Sequence, residues 1–405
     1  MPSLGWTHDH EPTHPLRPPP LPHHRAGLTA VRVLVVTTWY PSAERPEETP
    51  FVPRHVRAIA RRHDVRVLHM RLLRTGPVLE EQRDGIPVVH LPFHPLRPAT
   101  VARAYAAIRR HLAGADVLHT MPFSAALICL PFAGRRPWVH TEHWNGVLTP
   151  EQNGALWQRF AWLRRILRVP DRVTGVSSMM CDVLRRFAPP AKVERIGNVV
   201  DHAPGVVPPP RGETLEIAAV GALRALKDPL LAVETVAWLA EAGHDVRLTW
   251  CGTGELAEDV RRRAQERGVA ERVVLTGTLG AEQVQELLAA SDVFLLPSRS
   301  ETFCVAAAEA LAAGRPVVMG AVGGQRDFVH PGNGRLVEER TPAAFGRAVL
   351  DVVGGPGMQG PEEMAAGIRS RYGAEEVAEE LDRLYRSVVP GRRGAPALTR
   401  PPSSR

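Results

Sequence analysis

Two glutamates with seven residues between them, Glu301 and Glu309, lie in the stretch Pro297-Ser298-Arg299-Ser300-Glu301-Thr302-Phe303-Cys304, which runs on into Val305–Ala313. The apolar run before Pro297 predicts a strand, and the residues after it predict a short loop that opens a helix near Phe303. Free N–H groups at such a helix start form an anion site, assisted by the helix dipole. At 3.6 residues per turn, Glu301 falls just before the helix and Glu309 about two turns in, so both can face one cleft at different depths. A carboxylate placed that deep can accept hydrogen bonds from a ribose diol. The plainer alternative is two solvated glutamates on a surface helix. Against it stand the flanking residues, almost all small and apolar, because a charge on a buried helix needs a partner.

Lysine is the second signal. Of 50 basic residues only Lys192 and Lys227 are lysine; the rest are Arg. A lysine retained under such a bias draws attention. The charge is also unevenly spread. Residues 31–200 carry 25 basic and 13 acidic side chains, net +12, and residues 201–386 carry 19 and 28, net −9, within an overall +7. A basic front half and an acidic back half predict two domains, with an anionic partner or surface facing the first. Four scattered cysteines without a CxxC pair argue against a disulfide framework or structural zinc and for a reducing cytoplasm. Apolar residues are 44% and charged residues 23%, which excludes global disorder. No run approaches the roughly 18 apolar residues of a membrane span.

The elements that would position these residues alternate. Val31–Val36 reads as a strand buried on both faces, followed by a helix at Pro53–Arg62 and strands at Val65–His69, Val88–Leu91, Asp116–His119, Trp138–Thr141 and Arg172–Val176. Helices are expected at Val101–Leu112 and Leu156–Leu167. The latter carries Trp157, Phe160, Leu163 and Leu167 near one side and Arg159, Arg164, Arg165 and Arg168 elsewhere, and reads either as a packed helix or as one touching anionic lipid. After a Pro-rich linker at 203–213 the alternation restarts. Strands are expected at Glu216–Val220, Val246–Cys251, Arg272–Thr276, Val293–Pro297 and Pro316–Met319, with helices between them and a last amphipathic helix at 374–389. The expected division is thus a disordered tail (1–30), a Rossmann-like domain (31–202), the linker (203–213), a second Rossmann-like domain (214–373), the helix 374–389 and a tail (390–405). Ligands of such sheets bind at the carboxyl ends of the strands, here in a cleft between two domains.

Several segments in this order resemble the family-4 retaining glycosyltransferases of the GT-B fold, whose signature is E-x7-E. Beside Glu301–Glu309, they are Thr38-Trp39-Tyr40-Pro41, Pro50-Phe51-Val52 with His55-Val56, Asp116–His119, Thr141-Glu142-His143, Val176-Ser177 and Asn198-Val199-Val200-Asp201. The second half adds Val220-Gly221 with Leu223 and Lys227, Cys251–Glu255, Ser291–Phe294, and Gly323-Gly324 with Asp327–Val329. The resemblance implies an α/β, GT-B architecture of two Rossmann-like domains across a cleft, with the C-terminal helix crossing back to the first domain. It implies a nucleotide-diphosphate sugar as donor substrate and no other cofactor. Lys227 would hold the diphosphate, Glu309 the ribose, and Glu301 the donor sugar; the backbone of Phe303, Cys304 and Val305 would lie near sugar and phosphate, and His143 would reach toward sugar and acceptor. No D-x-D occurs, so metal-independent chemistry is expected.

Three departures bear on this resemblance. Ala222 stands where the family has Arg, with Arg224 two residues on as a replacement from another direction; Cys304 stands where it has Gly; and Glu48-Thr49-Pro50-Phe51 replaces a Gly-rich loop. The competing expectations are a GT-B epimerase, a phosphorylase with a Schiff-base lysine at Lys192 or Lys227, or a non-catalytic or partner-dependent GT-B protein. The acceptor is unidentified, and an anionic or lipid-linked one fits the basic front half. Peripheral contact with the anionic inner face of a membrane is expected on the same ground, and nucleic acid is not. Cys304, close to a helix start, reads as a packing residue or as a thiol of lowered pKa.

Overall fold

The computed structural model describes residues 30–42, 51–202, 205–209 and 212–389. The tails expected at 1–30 and 390–405 fall outside them except for Ala30, as do Glu48-Thr49-Pro50 and four residues of the linker, 203, 204, 210 and 211.

The first sheet contains β1 (Arg32–Thr37), β2 (Asp64–Arg71), β3 (Leu79–Arg83), β4 (Ile86–Pro92), β5 (Val117–Met121), β6 (Trp138–Glu142), β7 (Arg172–Gly175) and β8 (Val193–Arg195). Their spatial order is β3-β4-β2-β1-β5-β6-β7-β8, parallel throughout except for β3, which pairs antiparallel with β4 at the edge. The second sheet contains β9 (Leu215–Val220), β10 (Val246–Cys251), β11 (Val273–Gly277), β12 (Val293–Leu296), β13 (Val317–Gly320) and β14 (Gly334–Val337), in the order β11-β10-β9-β12-β13-β14. Both sheets reverse their winding beside their first strand, at β1/β5 and at β9/β12. That is the switch point at which open α/β sheets bind ligands.

Burial on both faces explains the nearly continuous apolar strands. Val33, Val35 and Val117 pack with the helix Phe51–Ala60 on one face of the first sheet, while Leu34, Val36 and Leu118 pack with the helix Pro98–Ala113 on the other. The helix Ala374–Val388 places Val377, Leu381, Leu384 and Tyr385 in the core of the first domain, so the chain does cross back. Its start is fastened by Glu375 to Arg61 and Arg62, and Tyr385 Oη lies 2.6 Å from His119 Nδ1. Buried His119 is thereby a structural residue of this joint.

Two expectations need correction. The segment 156–167 is not one helix: Ala155–Phe160 is helical, and a tighter 3₁₀ stretch, Ala161–Arg168, comes after it. Among its described apolar side chains only Leu167 is fully buried, whereas Phe160 and Trp162 are exposed. The helix after β12 begins at Val305 rather than at Phe303, because Cys304 takes the left-handed conformation (φ 69°). Among the described residues, no helix is long and apolar enough to cross a membrane.

Candidate active site

Every candidate side chain is carried by a loop at the carboxyl end of a strand or by the helix next to it in the chain. Lys227 lies on the loop after β9, where Gly252 lets the end of β10 pass so close that a Cβ there would meet the Gly221 carbonyl oxygen at 2.1 Å. The loop closes at Asp228, left-handed at φ 50°, whose carboxylate binds Arg299 and Arg340. Arg340 also donates to the Ser298 carbonyl at 3.0 Å and to the Pro297 carbonyl at 2.6 Å. One arginine thus locks the loops after β9 and β12 together. Across that joint Lys227 Nζ reaches Glu301 Oε1 at 2.6 Å, and Ser298 Oγ donates to the same oxygen at 2.6 Å.

Burial works against the charge of Lys227, but Glu301 and the neighbouring Cys304 outweigh it, and its pKa is raised. The ammonium therefore stays charged, with the side chain 23% exposed toward the cleft. A Cβ on Gly323 (φ 142°) would lie 2.2 Å from the Glu301 carbonyl oxygen, so only glycine lets the loop after β13 brace Glu301.

Glu309 sits deeper, on the helix Val305–Ala312 amid alanines that are buried in the core of the second domain. Burial raises its pKa, and Arg54 from the first domain opposes this. Arg54 Nη1 lies 2.7 Å from Glu309 Oε1, while its Nε lies 2.7 Å from Asp201 Oδ2. Phe303 is fully buried against Phe328 and Tyr372, at ring separations of 5.2 and 5.0 Å, so its side chain anchors the loop rather than lining the cleft. The thiol of Cys304 is buried; burial first, and then Glu301, push its pKa up, which favours the packing reading over a thiol of lowered pKa. Packing is its role.

His143 lies just after β6 and is buried, its ring 5.0 Å from Phe51 and 5.3 Å from His55. Glu142 fixes that turn by accepting from the backbone N–H groups of His143 and Trp144 at 2.9 and 2.8 Å. Among the described residues neither ring nitrogen of His143 meets a partner in good hydrogen-bond geometry; burial first, then His55, His119 and His140, hold its pKa well below the usual value, and the nearby Asn198 side chain opposes them. A neutral imidazole results, able to donate or accept. Two residues further on, Asn145 Oδ1 accepts from Ser300 Oγ at 3.0 Å, which brings the His143 loop against the Glu301 loop. Ser178 N donates to Asp327 Oδ2 at 2.7 Å in a second contact between the domains.

Not every expected residue joins the cluster. Arg224 is exposed and, among the described residues, makes no ion pair; Ala222 is likewise exposed. Lys192 donates to the carbonyls of Arg168 and Pro170 at 3.2 and 3.0 Å, a structural task outside the cluster. A cavity of about 770 Å³ lined by Arg32, His63, Arg66, Arg110 and His111 opens at the amino ends of β1 and β2, the edge opposite these loops. Sequence reasoning missed Arg54, Ser298, Asn145 and Arg340. For Arg54 there was half a signal: a glutamate among alanines demands a cation, but nothing local says which.

Comparison with known proteins identifies the family. The family described as Glycosyltransferase Family 4 matches residues 54–203, and Glycosyl transferases group 1 matches residues 214–354. The chain belongs to the family-4 glycosyltransferases of the GT-B fold. Among relatives of this family-4 protein, D-inositol 3-phosphate glycosyltransferase 1 of Catenulispora acidiphila is 27% identical over 360 residues, covering 79% of this chain and 85% of the relative. Sucrose-phosphate synthase from Thermosynechococcus elongatus superposes with a TM-score of 0.72 at 19% identity, covering 88% of this chain and 98% of that one. Anabaena Alr3699/HepE, solved in complex with UDP and glucose, gives 0.70 at 16% identity over 88% of this chain and all (100%) of the other. At these identities the structures speak for the GT-B fold alone.

The neutral histidines set a pH dependence. Burial lowers the pKa of His55 to about 4 and of His69 to about 3, and holds those of His119 and His143 well below the usual value. In the unfolded chain each protonates near about 6.5. Below that pH the unfolded state binds more protons, so stability is lost as pH falls from about 6.5 toward the folded values. Urea unfolding should show a clearly lower midpoint at pH 5 than at pH 7.5; equal midpoints would contradict the assignment of these rings as neutral.

Proposed function

We propose that this glycosyltransferase moves a sugar from a nucleotide-diphosphate sugar to an acceptor held by the first domain, with retention of anomeric configuration and without a metal ion. The observation that carries the reading is the Lys227–Glu301–Ser298 contact at the second-sheet switch point, with Glu309 on the helix just beyond. In this reading Lys227 faces the diphosphate, Glu309 accepts from the ribose diol, and Glu301 orients the sugar. The helix start at Cys304–Val305 offers N–H groups to the phosphate, and His143, held neutral by burial, offers a hydrogen bond to sugar or acceptor. As the bond from C1 to the phosphate oxygen breaks, negative charge grows on the diphosphate beside the Lys227 ammonium. The acceptor oxygen bonds to C1 on the same face, and its proton passes to the departing phosphate. Positioning supplies the rest of the rate.

Lys227→Ala should depress turnover far more than it alters the fold, because the charge it meets is largest in the transition state. Lys227→Arg should restore only part, since a planar fork replaces a point charge poorly in a tight loop. Glu309→Ala should raise the KM for the donor and weaken nucleoside diphosphate binding in parallel, by about 1–3 kcal/mol. Release of nucleoside diphosphate from the donor and calorimetric binding measure these effects. Full donor binding and turnover in both alanine variants would overturn the reading.

The acceptor side is basic and carries exposed apolar residues. Leu72, Leu73, Val78, Leu79 and Leu96 are exposed at the carboxyl ends of β2 and β4, with Arg74 and Arg97 also exposed in the same loops. Phe160 and Trp162 are exposed elsewhere on the first domain. This composition supports an amphipathic acceptor met at an anionic membrane face, in a cytoplasmic protein. Co-sedimentation with phosphatidylglycerol vesicles should be strong at low salt, weaker at physiological salt, and lost with neutral vesicles. Indifference to all three would count against a membrane-borne acceptor.

A further inference from the structure

Arg54 belongs to the first domain, yet its guanidinium is spent on the carboxylate assigned above to the donor's ribose. It projects from the helix Phe51–Ala60, and its side chain is only 9% exposed. One nitrogen meets Glu309 Oε1 of the second domain at 2.7 Å and another meets Asp201 Oδ2, at the junction between the domains, at 2.7 Å. Arg57, one turn further along the same helix, lies 3.6 Å from Asp201. Glu309 itself stands on a helix whose neighbouring residues, Ala307, Ala308, Ala310 and Leu311, are fully buried. Within its own helix it has no counter-charge.

We propose that Arg54 is a positioning residue that couples closure of the two domains to binding of the nucleoside diphosphate. This rests on the reading of Glu309 as the diol-binding carboxylate. When the domains part, water can solvate Glu309. When they close, that water leaves and an unpaired carboxylate becomes expensive. Arg54 then supplies the missing partner from the opposite domain. Its contact uses Oε1, which leaves Oε2 for the ribose hydroxyls and fixes the plane in which they must approach. Asp201 holds the guanidinium from the other side, so the fork is oriented before Glu309 arrives. Because closure completes the Glu309 site, a nucleotide bound there favours the closed form, and closure tightens the nucleotide by the same factor.

The full chain, its Arg54→Ala, Arg54→Lys and Glu309→Ala variants and the Arg54→Ala/Glu309→Ala double variant test this. The probe is whichever nucleoside diphosphate in a panel of bases most raises the melting temperature of the unaltered protein. Calorimetry gives its Kd, and small-angle X-ray scattering gives the radius of gyration with and without saturating nucleotide. Arg54→Ala should weaken binding about tenfold or more and stay expanded at saturation. Arg54→Lys should recover part of both, since a compact ammonium keeps the charge but lacks the planar fork whose separate nitrogens reach the two carboxylates. The double variant should bind no more weakly than Glu309→Ala alone. If Arg54→Ala does not fold, Asp201→Asn, which loosens the same guanidinium without touching Glu309, should lower affinity and compaction together. Nucleotide affinity within twofold of the unaltered protein together with normal compaction in Arg54→Ala, or additive losses in the double variant, would overturn the coupling. Unchanged binding in Glu309→Ala would instead overturn the reading of Glu309, and the two failures are thereby told apart.

Discussion

A carboxylate removed from water must find a cation or a set of donors, and the architecture around the cleft results from meeting that demand twice within nine residues. Glu301 and Glu309 lie before and within a helix of small apolar residues that forms part of a domain core. Glu301 is neutralised inside its own domain by Lys227 and Ser298, whereas Glu309 is neutralised by Arg54 from the other. The first pair makes a rigid local site; the second makes that site depend on where the domains stand. Breaking either would leave a buried charge uncompensated, which is usually far more damaging than never having had the pair.

The rest of the fold serves these contacts. Parallel sheets place their loops on one edge, and the glycines at the ends of β10 and β13 let neighbouring loops approach to distances that a side chain would forbid. Arg340 ties the Lys227 loop to the Glu301 loop through Asp228 and the carbonyls of Pro297 and Ser298. The helix Ala374–Val388 returns to the first domain and buries Tyr385 beside His119, fastening the second half of the chain to the first. Between the domains, polar contacts such as Ser300–Asn145 and Ser178–Asp327 stand beside the apolar contact that Val176 and Val200 make with the core of the second domain. Such an interface suits relative movement of the domains.

Much of this was legible in the sequence. Runs such as Val33–Val36 and Val293–Leu296 are buried on both faces, so their boundaries fall within a residue or so of the apolar pattern. Other elements escaped. The helices Pro342–Gly354 and Pro361–Tyr372 are introduced by proline and end at glycine, and they lie among turn-like residues that mask their periodicity. The edge strand Leu79–Arg83, with the sequence LEEQR, shows no apolar run because it is not buried. Glu301 and Lys227, singled out by the E-x7-E spacing and by the family resemblance, do meet in the structure, because the loops that carry them lie side by side within one domain. Arg54 and Asn145 could not be so marked, because their partners Glu309 and Ser300 come from the other domain. The geometry of Cys304 was also hidden, since a non-glycine residue in the left-handed region is set by the loop around it and not by its own preference.

The central claim is that the loops after β9 and β12, with the helix Val305–Ala312, hold a nucleoside diphosphate. A crystal structure of the full chain with the nucleoside diphosphate that stabilises it most would test this directly. The account predicts the diphosphate within hydrogen-bond reach of Lys227 Nζ and the ribose hydroxyls on the Glu309 carboxylate. A nucleotide seated elsewhere, for instance in the cavity lined by Arg32, Arg66 and Arg110 at the opposite edge of the first sheet, would contradict it.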